Sequence, residues 1–195
     1  MRPFLPFATL LGAAFLLGCQ EQASSPIGLE GAGILLDRAG PHPHGDGRNL
    51  IVELKGTATG EIREIDGVPM DCFDVDLFDV ATGNVIGTGT DCLDLGSITE
   101  DPTVGAFAIS NTTFYNLPGG TLKSRNRTTI APKVEGSPEM THSTSDVPTA
   151  NNILGGTNRF GGAEGIARLA GAVDMSLFFS DGIISFNCIF VLSFD

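Results

Sequence analysis

Carboxylates are concentrated in one short stretch of this 195-residue chain. Six aspartates lie close together there: Asp71, Asp74, Asp76, Asp79, Asp91 and Asp94. Their oxygens would suit Ca²⁺, but no segment has the spacing of a known Ca²⁺-binding loop. We therefore expect these aspartates to form the solvated outer face of a β-hairpin, with a calcium site as the alternative.

The histidines suggest metal binding or catalysis but lack the context for either. His42, His44 and Asp46 follow one another in a segment whose prolines hinder closure around one ion. His142 stands among serines and threonines near Asp146, and this polar segment is predicted to be a loop. Sequence proximity is not triad geometry. The sequence predicts no metal site and no cofactor, and it leaves the catalytic residues unknown.

Three basic side chains alternate at Lys123, Arg125 and Arg127. A β-strand would project all three to one side, because successive side chains of a strand point to opposite faces. We expect them to form an ion-pair ladder with the acidic hairpin or a solvated face. The alternative is that they bind a ligand carboxylate at a barrel mouth.

The cysteine spacing predicts a disulfide across that hairpin. Turn-forming residues 81–84 separate two alternating runs, and a three-residue loop would pair residues whose numbers sum to 164. Cys72 then lies opposite Cys92, near enough to bridge. In this register Asp74 faces Thr90 on the outer side. We expect Cys188 to be free and buried; a bridge from either hairpin cysteine to Cys188 stays open.

Strand signals recur from Asn49 onward, with no 3.6-residue periodicity. The predicted strands are residues 50–57, 60–66, 72–80, 85–92, 104–115, 121–131, 166–179 and 183–194. Closing such a sheet removes edges that would otherwise promote aggregation. The sequence predicts an all-β fold, a single small antiparallel barrel of about eight strands over residues 49–195.

The N-terminal residues predict a lipid anchor. After Arg2, the apolar run 7–18 fits a secretory signal and is too short to span a bilayer as a helix. Leu16-Leu17-Gly18-Cys19 resembles the lipobox of bacterial lipoproteins, in which the cysteine becomes the acylated first residue. This predicts a signal peptide at 1–18, lipidation of Cys19 and a flexible tether at 19–48. Gln20 favours the outer membrane.

The negative net charge of the chain limits the classes of partner that it can bind. Removal of residues 1–18 takes away Arg2 and no acid, so the net charge changes from −12 to −13. Such a chain is a poor partner for nucleic acid or for anionic lipid surfaces. We expect contact with the membrane through the lipid anchor alone, in the cell envelope, facing the periplasm or the surface.

A glycine-rich segment carries a resemblance to a known family. Residues 152–165 read NILGGTNRFGGAEG and precede an alternating strand. They resemble the signature of the allene oxide cyclase and dirigent barrel superfamily, with Asn158 where the family has glycine. The resemblance implies an eight-stranded antiparallel barrel closed by this motif. The matching positions are Gly155, Gly156, Thr157, Phe160, Gly162 and Gly165.

The family resemblance also implies a class of function. Some members isomerise or cyclise oxidised fatty acids, and others hold radical or phenolic intermediates without attacking them. We expect an envelope barrel that binds a small apolar or aromatic ligand without chemistry. An isomerase or cyclase acting in the cavity is the first alternative, and a structural envelope lipoprotein is the second. The sequence leaves ligand identity and oligomeric state open.

Overall fold

The computed structural model describes residues 49–101, 105–134, 137–145 and 150–195. The predicted signal peptide, Cys19, the tether and its histidines lie outside the described residues. None of the helices within these ranges is long and apolar enough to cross a membrane.

Ten strands, one short α-helix and one 3-10 turn at Asn158–Phe160 make up the regular structure of the described chain. The strands and the α-helix are β1 (Asn49–Thr59), β2 (Glu61–Ile65), β3 (Val68–Asp79), β4 (Val85–Asp101), β5 (Ala106–Leu117), β6 (Gly120–Pro132), β7 (Glu139–Thr144), β8 (Ile153–Gly156), β9 (Gly165–Asp174), α1 (Phe178–Asp181) and β10 (Ile183–Phe194). The fold is all-β, as predicted.

Eight of these strands close into an antiparallel barrel in the order β1-β10-β9-β7-β6-β5-β4-β3, and β3 pairs back to β1. β2 extends the sheet beyond β3, and β8 pairs with the part of β6 that β7 does not reach. The predicted barrel is therefore present. The predicted set of eight strands was wrong in detail, because it included β2 and missed β7.

The alternation of apolar and polar residues places the core inside this ring. Along β10 the residues with even numbers from Ile184 to Phe194 are all buried, and those between them are more exposed. Large aromatic rings contact one another there, with Tyr115 edge-on to Phe190 at 5.2 Å and Phe73 against Phe186 at 5.7 Å between centroids. This packing makes the barrel interior mainly apolar and aromatic.

Aromatic residues also pack at both ends of the barrel. At one end Phe160 is buried and stacks on Phe194, the last core residue of β10. At the other, Phe178 of α1 packs against Phe73, with ring centroids 6.3 Å apart. The predicted strand 166–179 was wrong beyond Asp174, since the chain turns into α1 and leaves Phe179 88% exposed.

The glycine-rich motif forms the barrel end that holds Phe160. A Cβ on Gly156 or Gly165 would overlap the carbonyl oxygen of Thr121 or Ser193, so both positions allow close approach of strands. Gly155, Gly162 and Asn158 have positive φ, as Gly-rich turns require. Thr157 joins this segment to β6, because its backbone N–H donates to the Thr121 carbonyl at 2.9 Å.

Candidate functional site

Polar side chains gather on the inner face of the barrel. The interior polar cluster consists of Asp91 on β4, three residues of β5, three of β6 and one of β7: Asn111, Thr113, Tyr115, Ser124, Asn126, Thr128 and His142. All of them are buried. Burial without hydrogen bonds is costly for such groups, so their partners decide what the cluster can do.

Asp91 is the central group of the cluster and is fully buried. Its Oδ1 accepts hydrogen bonds from the Asn111 side-chain amide at 2.9 Å and from the Thr113 hydroxyl at 2.8 Å. Both partners are neutral, so desolvation dominates and raises the pKa of Asp91 above its ordinary 3.8. Within the described part of the chain, Asp91 Oδ2 and Asn111 Oδ1 have no hydrogen-bond partner.

This burial of Asp91 corrects the expectation that all six hairpin aspartates face solvent. Asp74 and Asp76 are exposed, whereas Asp79 is buried and caps the β3–β4 turn by accepting a bond from the Thr82 N–H at 2.7 Å. Asp91 pairs with Phe73 in the ladder, on the packed side of the same hairpin. No group of three His, Cys, Asp or Glu among the described residues could hold a metal ion.

A second branch of the cluster runs along β5 and β6. The Tyr115 and Ser124 hydroxyls are 3.0 Å apart, and burial raises the pKa of Tyr115 far above its ordinary value. Asn126 accepts a bond from the Asn152 amide at 2.6 Å. The Asn152 side chain also accepts from the Ala167 N–H and donates to the Ala167 carbonyl. Asn152 thereby satisfies the backbone N–H and carbonyl of Ala167 on β9 and links β9 to Asn126 on β6.

The third branch joins β7 to β10. His142 Nε2 lies 3.0 Å from the Thr128 hydroxyl, and His142 Nδ1 lies 3.8 Å from the thiol of Cys188. Burial lowers the pKa of His142 to about 4 and raises that of Cys188 to about 12, so both are neutral near pH 7. The prediction that His142 lies in a loop was wrong, because it faces the interior from β7.

The outer face holds the other predicted residues. Cys72 and Cys92 form a disulfide between β3 and β4 on this face, whereas Cys188 is free and buried inside the barrel. Lys123 Nζ and an Arg125 guanidinium nitrogen lie 2.7 and 2.5 Å from the same Asp66 oxygen, at the β2–β3 turn. Lys123 and Arg125 therefore pair with Asp66 in the β2–β3 turn, which folds over the outer face. They do not pair with the six aspartates of the predicted acidic hairpin.

Arg127, the third alternating base, lies within 2.5 Å of the Thr99 hydroxyl and makes longer contacts with Ser97 and Ser110. The β2–β3 hairpin borders a half-open pocket of about 240 Å³ against the outer face, lined partly by Ile65, Met70 and Arg125. None of the three bases reaches the interior polar cluster through these contacts.

The fold and the interior cluster together define a small closed antiparallel β-barrel with a polar site inside. No family model matches the chain. No curated protein matches it either. The family resemblance of the glycine-rich segment therefore stays a prediction.

Solved structures with a similar fold include a pyocyanin demethylase, with a TM-score of 0.39 and 15% identity, covering 76% of this chain and 100% of that one. Another is a nonspecific heme-binding cyclase that catalyses a 4 + 2 cycloaddition in neoabyssomicin biosynthesis. Its TM-score is 0.37 and its identity 14%, covering 77% of this chain and 69% of that one. At these TM-scores neither similarity carries a functional argument.

Proposed function

We propose that the barrel interior binds a small, mainly apolar molecule whose polar group hydrogen bonds to Asp91 and Asn111. The observation that carries this proposal is the pair of fully buried oxygens, Asp91 Oδ2 and Asn111 Oδ1, that lack partners among the described residues. Leaving such a group unsatisfied costs about 1–3 kcal/mol. A ligand that supplies the missing bonds would recover that free energy.

The cluster also indicates the chemistry of the ligand. Burial raises the pKa of Asp91 and so favours its protonated form, in which the proton lies on Oδ2 because Oδ1 already accepts two hydrogen bonds. The site then offers one donor at Asp91 and one acceptor at Asn111. A neutral group that both accepts and donates, such as a hydroxyl, a phenol or a lactam, is complementary to it. The surrounding aromatic side chains favour an aromatic or apolar body.

Native mass spectrometry of the full chain purified from its own membranes tests this proposal. We expect wild-type protein to retain a small molecule that Asp91→Leu and Asn111→Leu both lose. Asp76→Asn is the matched control, because Asp76 is exposed on the same hairpin. Retention that is unchanged in a folded Asp91→Leu variant contradicts the proposed site. An empty wild-type barrel supports the structural-lipoprotein alternative.

One observation favours a second function, an isomerase or cyclase acting on an oxidised lipid or phenolic intermediate. A buried carboxyl whose pKa is raised can act as a general acid toward a bound substrate, and burial raises the pKa of Asp91. Asp91→Asn keeps the shape and removes this acid. If the barrel is catalytic, we expect the Asn variant to retain an isomer of the molecule that wild type retains. Identical molecules in both proteins favour binding without chemistry.

We also propose that Cys19 anchors the protein to a membrane, as the lipobox-like residues before it suggest. Two or three acyl chains give stable anchoring, whereas one chain binds only marginally. Membrane fractionation of wild type and Cys19→Ser tests this directly. We expect the variant to be released into the soluble fraction, and a variant that stays with the membranes contradicts the anchor.

A further inference from the structure

A thiol and an imidazole meet inside the barrel across an intervening strand. In the ladder, His142 of β7 pairs with Gly171 of β9, and Gly171 pairs with Cys188 of β10. His142 and Cys188 are both buried, and the Cys188 sulfur lies 3.8 Å from His142 Nδ1 and 3.4 Å from the Ala172 carbonyl oxygen. The two side chains therefore come from strands that are not neighbours in the sheet.

Gly171 is what permits this contact. A Cβ at that position would lie 2.5 Å from the Cys188 Cα and 3.0 Å from its sulfur. Any side chain there would push the thiol away from the imidazole. The contact between the thiol and the imidazole therefore depends on a glycine at position 171.

Thr128 fixes the orientation of the imidazole. Its hydroxyl lies 3.0 Å from His142 Nε2, on the ring edge away from Cys188. When Nε2–H donates to Thr128, Nδ1 presents its lone pair toward the sulfur. A partner on the far nitrogen is the usual arrangement for a metal-binding histidine, because it sets both the tautomer and the ring position.

We propose that Cys188 and His142 bind one Cu(I) ion. Thiolate and imidazole are ligands that suit this soft ion. First-row metal bonds to such ligands are about 2.0–2.3 Å long, so two bonds at a wide angle span the observed 3.8 Å.

The low number of ligands also favours Cu(I) over Zn²⁺. Since no third His, Cys, Asp or Glu joins the pair within the described residues, the four-ligand set of a structural Zn²⁺ site is not formed by these groups.

Charge balance agrees with a monovalent ion. Cu(I) replaces the thiol proton of Cys188, which leaves for solvent, and the copper–sulfur bond forms without any change of oxidation state. The resulting ion, thiolate and neutral imidazole carry no net charge. A neutral unit is far less costly in an apolar interior than an unpaired charge.

Competition titration with a chromogenic Cu(I) chelator tests the site. The full chain is used with its disulfide intact, and ascorbate keeps the copper reduced. We expect one Cu(I) per wild-type chain, no such binding in Cys188→Ala or His142→Phe, and binding weakened about 10- to 100-fold in Thr128→Val. The double variant His42→Ala/His44→Ala is the control, since it removes the imidazoles of the predicted tether and leaves the barrel unchanged.

X-ray absorption on copper-loaded wild type makes the test independent of whether the variants fold. We expect a low-coordinate Cu(I) signal with at least one sulfur neighbour. Equal Cu(I) affinity in wild type and folded Cys188→Ala, loss of binding only in the tether double variant, or a shell of nitrogen and oxygen alone each overturns the proposal.

Discussion

At the scale of single residues, the buried carboxyl of Asp91 sets the chemistry of the barrel interior. Its bonds come from a neutral amide and a neutral hydroxyl, and these offset only part of the cost of removing a carboxylate from water. Burial raises the pKa values of Tyr115 and Cys188, and a negative charge on Asp91 would add to both shifts. The interior is therefore most stable when all these groups are neutral.

This balance predicts a pH dependence of folding. Because the folded-state pKa of Asp91 is raised above 3.8, the folded chain holds this proton more tightly than the unfolded chain. The stabilisation is complete below about pH 3.8 and is lost as pH rises through the folded-state pKa. Urea unfolding of wild type and Asp91→Asn over a pH series measures it. We expect the unfolding free energy of the wild type to fall relative to that of the variant above about pH 4. An equal pH dependence in the two proteins would contradict a buried acid with a raised pKa.

The burial of Asp91 could have been predicted from the sequence, whereas the burial of His142 could not. A register whose paired numbers sum to 164 places Val75 opposite Gly89, on the side away from Asp74 and Thr90, and Asp91 is two residues from Gly89 on that side. Its charge made it resemble the exposed aspartates around it. His142 has no such signal, since β7 contributes only Met140 and His142 to the core side, too short and too polar an alternation to predict a strand.

At the scale of elements, the β3–β4 hairpin shows why a predicted register can survive an error in the turn. Asp79 pairs with Asn84 through its N–H, so the loop is one residue longer than predicted. A register shift between Leu77 and Phe78 restores the expected pairing from Leu77–Gly87 to Cys72–Cys92. The bulge absorbs the additional residue close to the turn. The disulfide then joins directly opposed residues.

We expect this disulfide to stabilise the barrel more than the nearby ion pairs do. Cys72 and Cys92 are 20 residues apart, and closing a loop of that size contributes roughly 3 kcal/mol through the unfolded chain. The Asp66 ion pairs are exposed and screened by water, so they contribute less. Urea unfolding of Cys72→Ser/Cys92→Ser and, as the comparison, Asp66→Ala measures both. Similar losses in the two variants would contradict this ranking.

The glycine-rich segment predicts a second difference in stability. Gly165 has φ of 141°, and a Cβ there would overlap the Ser193 carbonyl on β10. We expect Gly165→Ala to cost about 2–4 kcal/mol through strain and strand separation. Gly182 has φ of 67° and open space around its Cα, so Gly182→Ala should cost only about 1–2 kcal/mol. Thermal unfolding of the pair checks this order, and equal losses would contradict it.

At the scale of the whole molecule, the barrel closes where β1 meets β3. Only four residue pairs form this seam, from Val52–Asp79 to Lys55–Asp76, whereas eleven pairs join β1 to β10. The sequence predicted a closed barrel of eight strands. That number is correct because two errors cancel: the prediction counted β2, which lies outside the ring, and missed β7, which lies in it. Which strands close a barrel depends on contacts between distant segments, which local alternation does not report.

The short seam is expected to be the first part of the barrel to open. β3 is fixed to β4 by the disulfide, and β1 is held along its full length by β10, so the seam can separate without breaking either neighbour. Native-state hydrogen exchange by NMR measures this. We expect β1 and β3 amides bonded across the seam to exchange faster than β1 amides bonded to β10, through a local opening below the global unfolding free energy. Equal protection on both sides of β1 would show that the barrel opens only as a whole, and would contradict opening at this seam.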